Sequence, residues 1–177
     1  MVIRKVLNYL KSLYTPLAIQ ARKAGVNMGV DNYIASMFWT SEPYLITIGS
    51  HCQITSGVKL LTHGGGQVLR DIYPKFDVFG KVVVGDYVYL GTNALVLPGV
   101  TIGDHVLVAA GSVVTKSIAS GSVVAGNPAR YICSIDDYLS KNQAFAVPTK
   151  GMSSSEKKEY IMKLDANKFI CKEYLKQ

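Results

Sequence analysis

The chain has 177 residues, 49% of them apolar, and its 19 Lys and Arg against 12 Asp and Glu leave a net charge of +7. This is length for one domain with a substantial core, and no uninterrupted apolar run reaches the roughly 18 residues that a membrane span needs. The positive charge gathers near the ends, at Arg4, Lys5, Lys11, Arg22 and Lys23 and again in the lysines after Gly151. Without a basic face carrying stacking aromatics it does not indicate nucleic-acid binding. Phosphorylated ligands, an anionic membrane surface or plain solvated helix faces account for it.

Taken in order, Val2, Val6, Tyr9, Leu10 and Leu13 share one face at helical spacing and predict an amphipathic helix over 2–14. No apolar core or cleavage pattern marks a secretory leader. Thr15-Pro16 signals a second helix, Leu17 to Lys23, stopped by Gly25. These 25 residues form an N-terminal helical segment. Asp31, Asn32 and Tyr33 then read as an irregular first rung. Ile48, Ile54 and Leu60 fall six apart, with Cys52 and Val58 four positions after an opener. Cys52 thus reads as a small core residue. With Cys133 and Cys171 the cysteines are odd in number and lack zinc spacing, which suits a reducing, cytoplasmic setting.

From His63 to Asp77 the period is lost, and the triple glycine that opens this stretch favours an excursion over 64–77. Loops this long inside a compact fold are usually functional. Leu60 and Val78 are three sixes apart, so the phase survives the gap. The period then runs without a slip: Val78, Val84, Leu90, Val96, Ile102, Val108 and Val114 open successive sixes, and Val82, Val88, Ala94, Val100, Val106, Ser112 and Ile118 follow four positions on. Neither the 3.6-residue helical period nor the two-residue period of a half-buried strand fits. Period six belongs to parallel β-helices, in which a short strand and a corner repeat around a shared prism. The glycines one step after an opener, such as Gly85, Gly91 and Gly103, are expected to serve corners at positive φ. SGSVVAGNPARYI closes the coil. A helical tail over 135–177 follows, with DDYLSKNQ as one helix and SSEKKEYIMKLDANKF as a second, capped by serine.

The hexads, with SEPYLITIGSHCQITSGVKLLTHGGG before them and AGSVVTKSIASGSVVAGNPAR after, resemble the hexapeptide-repeat acyltransferases in their xenobiotic and sugar O-acetyltransferase branch. The resemblance covers roughly Ala18 to Tyr138. It implies an all-β fold, a left-handed parallel β-helix over 26–134 with N-terminal helices and a C-terminal helical tail. It also implies acetyl-CoA as acyl donor, no metal, a saccharide or other small-molecule acceptor, and a homotrimer with the coenzyme between subunits.

Acyl transfer from a thioester to a hydroxyl needs a base near neutral pKa, and histidine fits. His63 closes a coil strand just before the glycine-rich excursion, where the family places its catalytic histidine after threonine or asparagine. An aspartate common in that motif is replaced by Gly64, so a backbone carbonyl or Glu42 must orient the ring. An outward histidine at a corner can equally be a plain exposed residue. By resemblance, Gly91, Ala109, Ala110, Thr115 and Lys116 line the coenzyme groove and Arg130, in Asn127-Pro128-Ala129-Arg130, faces coenzyme phosphate. Corner geometry or a surface ion pair would explain the same residues. The acceptor is expected against segments that break the repeat, at Tyr33, Glu42, Tyr44, Arg70 and Asp77, with Trp39, Tyr73 and Phe79 nearby in sequence. The acceptor class reads as a sugar of a surface polysaccharide or its precursor, with a streptogramin or chloramphenicol-type antibiotic as alternative. Two readings from other classes stay open: a zinc enzyme of the carbonic-anhydrase-like branch using His51, His63 and His105, and a silent β-helix scaffold.

Overall fold

The computed structural model describes residues 15–174, so the helix expected over 2–14 lies outside the described residues. Two compact units are distinguished, one up to Ile135 and one from Asp136 onward. The first begins with helix α1, Leu17–Ala24. Gly25 ends it at φ +115, and its N–H caps the carbonyls of Ala21 and Arg22. Ala21 is fully buried, and the Arg22 guanidinium donates to the carbonyls of Met28 and Gly29. The helix thereby seals one end of the coil.

The coil is a left-handed parallel β-helix with three walls. The first holds β1 (Asn27–Met28), β3 (Ile46–Ile48), β6 (Val82–Val84) and β9 (Thr101–Ile102). The second holds β2 (Tyr33–Ile34), β4 (Gln53–Ile54), β7 (Tyr89–Leu90), β10 (Leu107–Val108) and β12 (Ser122–Gly126). The third holds β5 (Lys59–Leu60), β8 (Leu95–Val96) and β11 (Val113–Val114). All pairings among these strands are parallel and in phase: Ile48 meets Val84, Ile54 meets Leu90, and Leu60 meets Val96. Apart from Val78, the hexad openers from Ile48 to Val114 point inward and are buried, as are Cys52, Val58, Val82, Val88, Ala94, Val100, Val106 and Ser112. Burying a Val, Leu or Ile side chain contributes about 1.5–3 kcal/mol, and every opener is stacked on its counterparts in adjacent coils. The first rung, expected to be irregular, is regular: Asn27–Met28 and Tyr33–Ile34 pair with the next coil. Asn32 makes this possible by donating to the carbonyls of Gly29 and Gly49 and accepting from the Cys52 N–H.

Two further expectations are corrected. Val78 is 48% exposed, because the coil resumes only at β6 and Val78 belongs to the returning arm of the excursion. The glycines one step after an opener are not the positive-φ residues. That conformation falls two steps later, at His51, Tyr87, Asn93 and His105 and at Gly57, Gly99 and Gly111. Gly91 is instead required by stacking: a Cβ there would lie 2.5 Å from the Ala110 nitrogen of the next coil. The closing segment SGSVVAGNPARYI is an antiparallel hairpin, β12 with β13 (Ala129–Ser134), whose turn contains a cis Asn127-Pro128 bond.

In the second unit, α2 spans Ile135–Asn142 and α3 Ser154–Met162. Ser153 and Glu156 form a reciprocal capping box at the start of α3. The last helix stops seven residues short of the expected Phe169, with Lys163 as its C-cap, and Ala166–Lys168 form a separate 3-10 turn.

Candidate active site

The three corners of the prism differ at one equivalent step, the third residue after each inward strand position. Between the first and second walls that step holds His51, Tyr87 and His105, whose rings stack at centroid distances of 4.7 and 4.9 Å. Between the second and third walls it holds Gly57, Asn93 and Gly111. Between the third and first walls it holds His63, Gly99 and Ser117. The three histidines therefore stand at two different corners, with Tyr87 filling the space between His51 and His105. The zinc reading has no shared centre for them within this chain.

His63 is the last residue before the chain leaves the coil. Leu60 pairs with Val96 before it, the Gly80 N–H donates to the Thr62 carbonyl after the return, and His63 bridges Phe79 across the neck of the excursion. The coil on either side is thus contiguous, and the excursion is a true insertion at this corner. The imidazole is 37% exposed and its Nδ1 lies 2.6 Å from Glu42 Oε2. Ser41 Oγ stands 3.4 Å from the same nitrogen. Thr62, fully buried, donates to Glu42 Oε2 at 2.8 Å, and Thr40 Oγ1 sits 3.1 Å behind Thr62 Oγ1.

Partial desolvation pushes the Glu42 carboxyl up, but hydrogen bonds from Thr62, His63 and Ser41 and the His63 charge together outweigh it. The net result holds the carboxyl below its ordinary value. An ionised carboxylate only accepts, so Nδ1 must be the donor and the neutral ring carries its lone pair on Nε2. Nε2 makes no hydrogen bond among the described residues, and the ring lies on the edge of an open cleft. Gly64 and Gly65 crowd nothing there. Phe79 leans on the imidazole at a centroid distance of 5.8 Å. A cleft of about 340 Å³ runs past the ring, between the excursion neck and the next coil.

The expected site residues separate into groups. Glu42 comes to His63, as one of the two orienting groups considered, and its carboxylate is engaged there. Tyr44, 69% exposed, lies two residues on in the turn Pro43–Leu45. Tyr33 does not join them, because its register puts it on β2 in the second wall, opposite this corner. Arg70 and Asp77 pair with each other at 3.3 Å inside the excursion. Trp39 packs half-buried against the core, edge-on to Phe38. Thr115 and Lys116 stand two coils further along the His63 corner and line a second cleft of about 220 Å³ with Ala129 and Tyr131, the two neighbours of Arg130. Gly91, Ala109 and Ala110 stack at the other end of the third wall. Thr40 and Ser41 were not anticipated. The period did not point to them, since Thr40, Ser41 and Glu42 stand one coil ahead of Thr62 and His63 at offsets of 21 and 22 residues, off the six-residue repeat.

The bacterial transferase hexapeptide (six repeats) family matches residues 81–116. Protein CapG of Staphylococcus aureus is 46% identical over 152 residues, covering 84% of this chain and 86% of its own length. The chain belongs to the hexapeptide-repeat acyltransferase family. A probable macrolide acetyltransferase of Lysinibacillus sphaericus is 32% identical over 68% of this chain and 67% of its own. The galactoside O-acetyltransferase of Escherichia coli is 31% identical over 64% and 56%. Among solved structures, the polySia specific acetyltransferase NeuO aligns at 26% identity and TM-score 0.51 over 79% of this chain and 64% of its own. Within this hexapeptide-repeat chain no helix among the described residues is long and apolar enough to cross a membrane.

Proposed function

We propose that the protein is an acetyl-CoA-dependent O-acetyltransferase acting on a hydroxyl of a saccharide, with His63 as general base and Glu42 as its positioning residue. The observation that carries this is the Nδ1–Glu42 contact of 2.6 Å at an open corner, which leaves Nε2 as a directed proton acceptor. Nε2 takes the proton of the acceptor hydroxyl, whose oxygen attacks the thioester carbon. As the C–O bond forms the C–S bond breaks, and the imidazolium returns its proton to the departing thiolate. A positioned base of this kind is worth about 10²–10⁴ in rate, and holding both substrates together supplies much of the remainder.

The third wall explains why the residues expected around the coenzyme fall into two sets. Its outward residues are mostly aliphatic, Leu61, Leu95, Leu97 and Val113 beside Lys59, all half-buried, whereas the second wall turns out Tyr33, Gln53 and Tyr89 with Leu107. Three copies packed through their third walls would remove this aliphatic surface from water. Each copy's Gly91, Ala109 and Ala110 would then border the His63, Thr115 and Lys116 corner of its neighbour. In that homotrimer a single groove holds the coenzyme, and Arg130 meets its phosphates. A sugar acceptor is supported by the similarity to galactoside- and polySia-acetylating enzymes. The similarity to a macrolide acetyltransferase supports an antibiotic as the second reading.

The test is thiol release from acetyl-CoA with a panel of mono- and oligosaccharides, a macrolide and chloramphenicol, for wild type and His63→Ala. Saccharide-dependent release that falls by about 10²–10⁴ in His63→Ala is expected. Release that depends only on the antibiotics moves the assignment to the second reading, and release indifferent to His63 removes the base.

A further inference from the structure

The three corners are built alike, and each keeps an open positive-φ glycine, Gly121 at the first, Gly111 at the second and Gly99 at the third, but only Gly99 stands next to the base. Elsewhere along the first corner the step is filled by stacked rings. At the second, Asn93 lies with its carboxamide where a Gly57 Cβ would project. At the third, the residue one coil below His63 is Gly99, at φ +84, and a Cβ added there meets nothing within 4 Å. The missing side chain opens the cleft beside the base. Its walls are Leu61, Val78, Phe79, Leu97 and Pro98, so apart from His63 every side chain lining it is apolar. A sugar ring needs hydrogen-bonding groups, and these lie on the other side of His63, at Ser41, Glu42 and the excursion. The cleft has the chemistry of a hydrocarbon slot.

We infer that the gap at Gly99 is an acyl slot, which receives the alkyl end of the thioester and admits propionyl and butyryl groups as well as acetyl. The inference rests on the acyltransferase reading above and adds the range of donors. Longer donors follow the same stoichiometry: the acceptor oxygen gains the acyl carbon, the coenzyme sulfur leaves, and the proton passes through His63.

Binding of CoA, acetyl-CoA, propionyl-CoA and butyryl-CoA to the intact protein tests this by calorimetry, without need of the acceptor. In the wild type, each added methylene should leave Kd unchanged or tighten it by up to about fourfold, the value of burying one CH₂. Asparagine tolerates the left-handed conformation, so Gly99→Asn should keep the coil while filling the slot. It should weaken butyryl-CoA relative to CoA by about tenfold or more, the usual discrimination of an apolar pocket against a group that no longer fits. Val78→Trp, which narrows the cleft from an exposed arm, should act in the same direction if Gly99→Asn fails to fold. Gly121→Asn, at an open positive-φ step of the first corner, should change no Kd. A wild type that binds butyryl-CoA tenfold more weakly than acetyl-CoA overturns the slot. So does a Gly99→Asn protein, or in its place a Val78→Trp protein, that loses CoA and butyryl-CoA equally. Absence of any CoA binding to the wild type overturns the donor reading itself, and the two failures are thereby told apart.

Discussion

Glu42 Oε2 gathers a threonine hydroxyl and an imidazole N–H on one oxygen, and this convergence gives the site its polarity. The carboxylate cannot rotate away without losing the Thr62 donor, which is buried and has Thr40 as its other hydroxyl neighbour. Glu42→Gln replaces an acceptor-only group by one that can also donate, so the imidazole loses its fixed tautomer. Its kcat should fall by roughly 10²-fold, the scale of a misplaced catalytic group, while Kd for CoA stays the same. The change should also alter acid stability, with a sign that follows from the lowered carboxyl. A group whose folded value lies below its unfolded one stabilises the protein above the unfolded value of about 4.5, and that contribution is lost as pH falls through the folded value. The difference in Tm between wild type and Glu42→Gln should therefore be largest near neutrality and shrink as pH drops from about 5 to about 3, across the ordinary carboxylate range. A difference that grows on acidification would show that Glu42 is not held ionised. At Gly91 the constraint is steric, since the Ala110 nitrogen stands where a methyl would go. Gly91→Ala should lower Tm by several degrees, as expected for about 1–3 kcal/mol of overpacking.

Among the elements, the excursion is the one that can be removed. Gly80 returns to the carbonyl of Thr62, and the Arg70–Asp77 pair and the Arg70 contact to the Phe76 carbonyl hold the loop within itself. Replacing residues 67–74 by a short Gly/Ser linker should leave an oligomer with wild-type Tm to within a few degrees, because shortening a loop changes closure entropy little. CoA binding should persist while transfer to the native saccharide is lost. An unfolded variant would mean that the excursion is part of the wall. The coil was legible because its period is written in the buried openers from Ile48 to Val114, Val78 excepted, at a spacing that fits neither a helix nor a half-buried strand. The place of Val78 and the true role of Gly91 were not, since both depend on where one coil lands on the next rather than on the period. The hairpin strand β13 was missed for a related reason: Ala129–Ser134 carries no alternation, and it is a strand only because β12 offers it an edge. In the candidate site, the position of His63 at the corner before the excursion was legible from Thr62-His63 and the glycines. The contact to Glu42 was legible only as one of two alternatives, because Glu42 lies in the preceding coil and stacking, not spacing, decides between it and a backbone carbonyl.

As a whole molecule, the coil presents one aliphatic wall, and its two flanking corners carry the two halves of the expected groove. If three copies share that wall, dilution should inactivate the enzyme before it unfolds. Light scattering is expected to give a trimer at micromolar concentration, and Leu97→Lys, which puts a charge at the centre of the aliphatic wall, a folded monomer with little transferase activity. A monomeric wild type with full turnover would refute the shared groove. The ends of the prism obey a different logic. Every coil offers the next a row of unsatisfied backbone groups in one direction, so an open-ended prism is a seed for head-to-tail polymerisation. α1 covers one end, and at the other the chain turns back on itself, so that β13 runs against the grain of the stack and presents an antiparallel edge that no further coil can copy. A protein cut after Gly126 should retain its coils yet grow into fibres along the coil axis. The hairpin is in this sense a full stop: it keeps a repeating sequence, which could in principle add to itself without limit, a molecule of fixed length.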